Sequence, residues 1–245
     1  MAKQKTEIIV IIDQSGSMAD CRNDVIGGFN TYLSDLKKDS NIDARVSLTT
    51  FNSNIKKEYT CKKLADVDEL THNTYSPTGS TALNDAFIET VKEVRDRIAK
   101  SKAKSKPKVL CVVFTDGEEN ASRNHPGEEG KRTVKELIDD LNATGFWTFV
   151  YMGADQDAWS ASQSYGFSAA NSVSYGKGAT AQTMAYMANR TKKFAMADLS
   201  QTPLMSDSLM ALDAEDEKDA ETVALRTAID TSALQKGLIR PQSKS

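Results

Sequence analysis

The chain has 245 residues, 39% hydrophobic and 27% charged, with 13 Gly and 5 Pro. This composition excludes fibrous and wholly disordered classes, and the length suffices for one large α/β domain with an appendage. With 31 Lys and Arg against 34 Asp and Glu the formal net charge is −3, which gives no overall positive field for gathering nucleic acid or anionic lipid.

The run Ile8-Ile9-Val10-Ile11-Ile12, closed by Asp13, predicts a strand buried on both faces. A short polar loop, 14–17, leads to a helix over 23–37, whose stripe of Val25, Ile26, Phe29, Tyr32, Leu33 and Leu36 has helical spacing. Residues 44–51 alternate as a strand with one covered face, and 57–61 add a short edge strand. After the turn at 77–80, Leu83, Ala86, Phe87, Val91, Val94 and Ile98 predict an amphipathic helix over 81–100.

A second buried strand, 109–114, ends in Thr115-Asp116-Gly117, so two buried strands each deliver a carboxylate at their carboxyl ends. A helix over 131–142, a strand over 146–152, a helix over 158–165, a short strand near 169–173 and a helix over 180–194 complete the alternation. The expected fold is a Rossmann-like, doubly wound, mainly parallel sheet with helices on both faces.

From residue 200 the periodicity weakens. Residues 200–245 hold eight acidic and five basic residues, so the tail carries the whole net charge. We read residues 1–199 as the domain and 200–245 as an acidic, partly helical or flexible C-terminal extension, solvated or docking a partner. Cys21, Cys61 and Cys111 are too scattered for a zinc knuckle and odd in number for a disulfide framework, which predicts a reducing compartment. No apolar stretch reaches the roughly 20 residues of a membrane span. Residues 1–7 lack the layout of a signal peptide, and the expectation is a cytoplasmic location without membrane association.

The chemistry concentrates in Asp13-Gln14-Ser15-Gly16-Ser17, Thr81 and Asp116. The D-x-S-x-S string follows a buried strand and precedes a helix, in the crevice beyond the strand ends where open α/β sheets place ligands. Carboxylates and hydroxyls without imidazole or thiolate make a hard oxygen set, suited to Mg²⁺, Mn²⁺ or Ca²⁺ and not to zinc. Ser15 and Ser17, two residues apart, present to one side, and Gly16 between them permits close backbone approach. Taken singly, these residues also suit helix caps and Asx-turns. Two carboxylates in one crevice repel unless a cation joins them.

Ile8 to Met18 (IIVIIDQSGSM), Ser76 to Leu83 (SPTGSTAL) and Val113 to Glu118 (VFTDGE), in that order, resemble a von Willebrand factor type A domain. The resemblance spans about residues 6–195 and is to a bacterial or phage-like member, residues 149–155 being similar to the late strand and loop of bacterial members. Ser80 stands where many members have a second glycine. The resemblance implies a metal-ion-dependent adhesion site formed by Asp13, Ser15, Ser17, Thr81 and Asp116. It further implies Mg²⁺ as the resident ion, with Mn²⁺ or Ca²⁺ as substitutes, and a protein partner that offers an Asp or Glu to the ion. Nucleic acid is not an expected partner.

Two other functions compete. A strand-end aspartate with Mg²⁺ also begins phosphotransferases of the haloacid-dehalogenase type, but these carry a second acid where this chain has Ser15. With no G-x-S-x-G elbow and no histidine placed to activate a serine, no enzymatic activity is expected. The third reading is self-assembly, the acidic tail entering a neighbour's site. Around the crevice, Asp20, Asp24, Glu118 and Glu119 read as exposed loop or helix-start charges. The run Lys100, Lys102, Lys104, Lys106, Lys108 reads as solvated charge at a helix end, His72 and His125 as surface residues, and Tyr175-Gly176-Lys177-Gly178 as a glycine-rich turn without phosphate-loop spacing.

Overall fold

A computed structural model of the chain describes residues 5–102 and 105–238. The sheet has six strands: β1 Thr6–Asp13, β2 Ala44–Phe51, β3 Ile55–Lys63, β4 Lys108–Thr115, β5 Trp147–Ala154 and β6 Ser172–Tyr175. Their spatial order is β3-β2-β1-β4-β5-β6, parallel except for β3, which returns antiparallel to β2 at one edge. Lys56, Lys57, Lys62 and Lys63 on β3 make that edge a poor template for another strand. The strand order reverses between β1 and β4, the point where doubly wound sheets open a crevice at their carboxyl ends.

The β-branched run of β1 divides its side chains between two cores. Ile8, Val10 and Ile12 pack with α1 (Arg22–Lys38) and α5 (Thr180–Met196), while Ile9 and Ile11 pack with α2 (Leu83–Lys100) and α3 (Gly127–Asn142). Burial on both faces is why this strand is a continuous apolar run without alternation. The short α4 (Ala158–Ser164) contributes Ala158 to the second core. No helix among the described residues is long and apolar enough to cross a membrane.

Of the alternatives open for the C-terminal part, the described residues take the helical one, packed on the domain and not solvated. Helices α6 (Thr202–Ser208) and α7 (Ala220–Gln235) pack back on the domain, α7 against α5 and β6. Leu209, Met210 and Ile229 join the first core. The acidic cluster is used internally: Arg190, only 2% exposed, forms a two-pronged pair with Asp216 at 2.6 and 2.7 Å, and Lys193 joins Asp216 and Asp213. A guanidinium fork inside the core needs a carboxylate, and the apparently solvated acids supply it. The described part of the extension thus packs against the domain; residues 239–245 lie outside the described residues.

Lys108 also departs from the solvated basic run. It opens β4 fully buried, and its ammonium donates to the carbonyls of Phe194 and Ala197 at the end of α5. A lysine at a helix C-terminus satisfies carbonyls that lack an intrahelical partner. Burial pulls its pKa down to about 8. Lys104 lies outside the described residues.

Candidate functional site at the carboxyl ends of the strands

Asp13 ends β1, completely buried. Its Oδ1 accepts the Ser15 amide at 2.7 Å and its Oδ2 accepts the Thr115 hydroxyl at 2.7 Å. Its carbonyl accepts the hydroxyl of buried Tyr75 at 2.7 Å. Gly16 and Ser17 begin a 3-10 turn, Gly16–Cys21, where a plain loop was expected. That turn brings the Ser15 and Ser17 hydroxyls to 3.1 Å from each other, and Ser17 donates to Asp116 Oδ1 at 2.7 Å.

Thr81 arrives from the second loop, two residues before α2. The loop is laced to the first by Gly16 N to Gly79 O at 3.0 Å and Thr78 N to Gln14 O at 2.9 Å. Gly79 has φ +75°, and a Cβ there would stand 3.0 Å from Ser53 Oγ, so this close approach requires glycine. The third loop holds Thr81 in turn: Thr81 N donates to Asn120 Oδ1, and Asn120 N and Ala121 N both donate to Thr81 O. Thr81 Oγ1 and Asp13 Oδ2 both lie within 4 Å of the point where a Gly117 side chain would begin. The structure thus brings Asp13, Ser15, Ser17, Thr81 and Asp116 into one cluster. Asp13, Ser15 and Thr81 are buried, and Ser17 stands at the exposed rim.

Burial raises the Asp13 carboxyl to about 6, with the Thr115 hydroxyl and Ser15 opposing the rise and the Asp116 charge adding to it. Asp116 has its own counter-ion. The Lys177 ammonium lies 2.7 Å from Asp116 Oδ2, whose side chain is 1% exposed, and donates to the Ser17 carbonyl at 2.6 Å. Partial burial alone would lower the Lys177 pKa, but the hydrogen bond and charge of Asp116 outweigh it and hold the ammonium above its ordinary value.

The donor set is oxygen only, two carboxylates and three hydroxyls, and fits a hard divalent cation. The 3.1 Å between the two serine hydroxyls matches the roughly 3 Å that separates neighbouring ligands on an octahedral ion with Mg²⁺ bond lengths. No cluster of three or more His, Cys, Asp or Glu residues suited to a metal occurs among the described residues, so a cation site here depends on the hydroxyls.

Several contributors have no role in the sequence reading. Thr115 lies inside the VFTDGE string, but its contact to Asp13 is not visible there; Tyr75 precedes the second loop outside any motif, and Lys177 lies in a turn whose visible feature is glycine. Glu119 is a structural clamp, not an exposed charge: it accepts Asn84 N, Ala121 N, Ser122 N and the Ser122 hydroxyl. His125 is no bare surface residue; its Nδ1 lies 3.0 Å from Asp85 Oδ1, and Asp85 also accepts the amides of Arg123, Asn124 and His125. Both acids fasten the loop between β4 and α3 to the start of α2, which fixes the Thr81 backbone.

The structure is similar to the pilus adhesin SpaC from Lactobacillus rhamnosus GG (12% identity, TM-score 0.60, covering 80% of this chain and 31% of that one). It is similar also to the PilB minor pilin from Streptococcus sanguinis (11%, 0.57, 80% and 63%) and the ArnB paralog VWA2 from Sulfolobus acidocaldarius (15%, 0.52, 77% and 46%). The chain thus spans less than two thirds of each of these proteins, and at such identities the likeness is one of fold. No curated protein matches. The family model described as von Willebrand factor type A domain matches residues 7–161, which hold β1 from its second residue, β2 to β5 and all five clustered residues. A parallel sheet with one antiparallel edge, the D-x-S-x-S turn at its reversal point and this match agree: the chain belongs to the von Willebrand factor type A domain family.

Proposed function

We propose that the protein is a non-catalytic interaction module that binds a partner's Asp or Glu side chain through a divalent cation, Mg²⁺ in the first place and Mn²⁺ or Ca²⁺ as substitutes. The observation that carries this reading is the meeting of Ser15, Ser17 and Asp116: two hydroxyls 3.1 Å apart, one of them bound to a carboxylate from another strand end at 2.7 Å. In this reading Ser15, Ser17 and Thr81 hold the ion through hydroxyl oxygens, with Asp13 and Asp116 supplying negative charge directly or through water. When bound, the cation supplies a coordination position able to accept an anionic oxygen.

The chain's own residues keep that position selective. Where hydroxyls and water occupy the ligand positions and the aspartates act through water, the ion's charge is offset only at a distance, so an incoming carboxylate gains more than a neutral group does. Thr115 and the Ser15 amide hold both oxygens of Asp13, preorganising the carboxylate before binding. Three unpaired cysteines support a reducing, cytoplasmic setting.

The test is partner capture on immobilised full-length chain in Mg²⁺, with elution by chelator, repeated with Ser15→Ala. Retention that needs Mg²⁺ and is lost in Ser15→Ala is expected. Partners retained equally in excess chelator would overturn the metal-bridged mode. Turnover of a phosphate monoester, abolished by Asp13→Asn, would overturn the non-catalytic reading.

A further inference from the structure

We propose that Lys177 is a tethered cation that competes with the divalent ion at this site and sets its affinity. The proposal rests on the metal-binding reading above. It goes beyond it by assigning a role to a residue outside the matched family segment, which ends at 161.

The first observation is what the ammonium does. Asp116 Oδ1 is held by Ser17, and its buried Oδ2 has Lys177 as its counter-ion at 2.7 Å. The same ammonium donates to the Ser17 carbonyl at 2.6 Å, so it touches two of the five clustered residues. A doubly charged ion held by Ser17 and Asp116 would sit a few ångströms from a full positive charge, within a crevice screened poorly by water. The ion must then either displace the ammonium or bear its repulsion, and both outcomes weaken its binding.

The second observation is how Lys177 is mounted. Its amide donates to Asp155 Oδ1 at 3.1 Å, its carbonyl accepts the Thr180 hydroxyl at 2.7 Å, and the preceding Gly176 amide donates to Ser232 of α7 at 3.0 Å. The backbone is pinned on three sides, whereas the side chain is 20% exposed and has solvent within reach. A flexible four-carbon stem on a fixed base lets the charge leave Asp116 without rearranging the turn. Asp155 and Ser232 thus act as positioning residues for the ammonium.

The experiment measures Mn²⁺ binding by electron paramagnetic resonance, and Mg²⁺ by competition, on the full chain with no partner present. Wild type is compared with Lys177→Gln, Lys177→Met and Lys177→Arg. The two neutral variants are expected to bind Mn²⁺ on the order of tenfold more tightly than wild type, and Lys177→Arg no more tightly than wild type. Metal-free thermal stability of the neutral variants falls, because Asp116 loses its counter-ion, while their metal-induced rise in Tm exceeds that of wild type. A merely structural lysine would lower stability without enlarging the metal-induced rise. Should Lys177→Gln fail to fold, Lys177→Met retains the apolar stem and gives the same readout. Wild type binding Mn²⁺ with neutral variants binding equally or more weakly overturns this inference alone. No binding by any of the proteins at millimolar Mn²⁺ overturns the function proposed above and this inference with it.

Discussion

Ser17 Oγ and Asp116 Oδ1, 99 residues apart in the chain, meet at 2.7 Å. The contact ties the loop after β1 to the loop after β4 and orients the serine hydroxyl: with its only proton given to the carboxylate, it accepts the Ser15 hydroxyl on one lone pair and keeps the other for a cation. Ser17→Ala and Asp116→Ala are each expected to remove Mg²⁺-induced stabilisation. Wild type should gain about 2.7 kcal/mol when Mg²⁺ is at a hundred times its Kd, and the variants close to nothing. Thermal melts with and without Mg²⁺ measure the difference, and circular dichroism checks that the fold is kept.

Asp13 gives the site a pH signature. Its folded pKa, raised to about 6 chiefly by burial, lies above the ordinary 3.8, so the metal-free folded state holds a proton that the unfolded chain has released between these values. The stabilising contribution of protonated Asp13 is complete below about pH 4 and is lost as the pH rises through 6. Asp13→Asn, which cannot ionise, should therefore be more stable than the metal-free wild type at pH 7, on the order of 2 kcal/mol. The gap should close at pH 4, as followed by urea melts in chelator. Cation binding has the opposite dependence: Mn²⁺ affinity should fall about tenfold per pH unit below 6, because the proton and the cation compete.

Burial decided what was legible. The parallel sheet could be read because β1 and β4 are buried on both faces and so are unbroken apolar runs, and Asp13, Ser15, Ser17, Thr81 and Asp116 could be read because each follows a strand or precedes a helix. The residues that complete the cluster, Thr115, Tyr75 and Lys177, act through long-range contacts that no local spacing encodes. The partners of the tail's acids are hidden for the same reason. Asp213 and Asp216 look solvated in sequence because their partners, Lys193 and Arg190, lie a helix away on α5.

The Arg190–Asp216 pair makes a stability prediction. Asp216→Ala would leave a guanidinium 2% exposed with no anion, at a cost of about 3–5 kcal/mol. Although burial raises the Asp216 pKa, the hydrogen bonds from Arg190, Asp213 and Lys193 outweigh it and hold the carboxyl well below the usual range. Its contribution is thus present above about pH 4 and declines as the pH falls. Limited proteolysis should cut residues 209–219 in the variant far faster than in wild type.

Gly130 tests the clamp behind Thr81. A Cβ there would stand 2.4 Å from Asn84 Nδ2 and closer still to the His125 carbonyl, which is backbone and cannot yield cheaply. Gly130→Ala is expected to cost about 3 kcal/mol and to disturb the His125–Asp85 contact, observable as a changed His125 imidazole signal in NMR spectra. Unchanged stability and an unchanged signal would refute the packing described for α3.

The most direct test of the central claim is anomalous diffraction from crystals of the chain grown in Mn²⁺. The account predicts a peak within bonding distance of the Ser15, Ser17 and Thr81 hydroxyls, absent in Ser15→Ala. Crystals at millimolar Mn²⁺ with no peak at these oxygens, or with the ion bound only elsewhere on the chain, would contradict it.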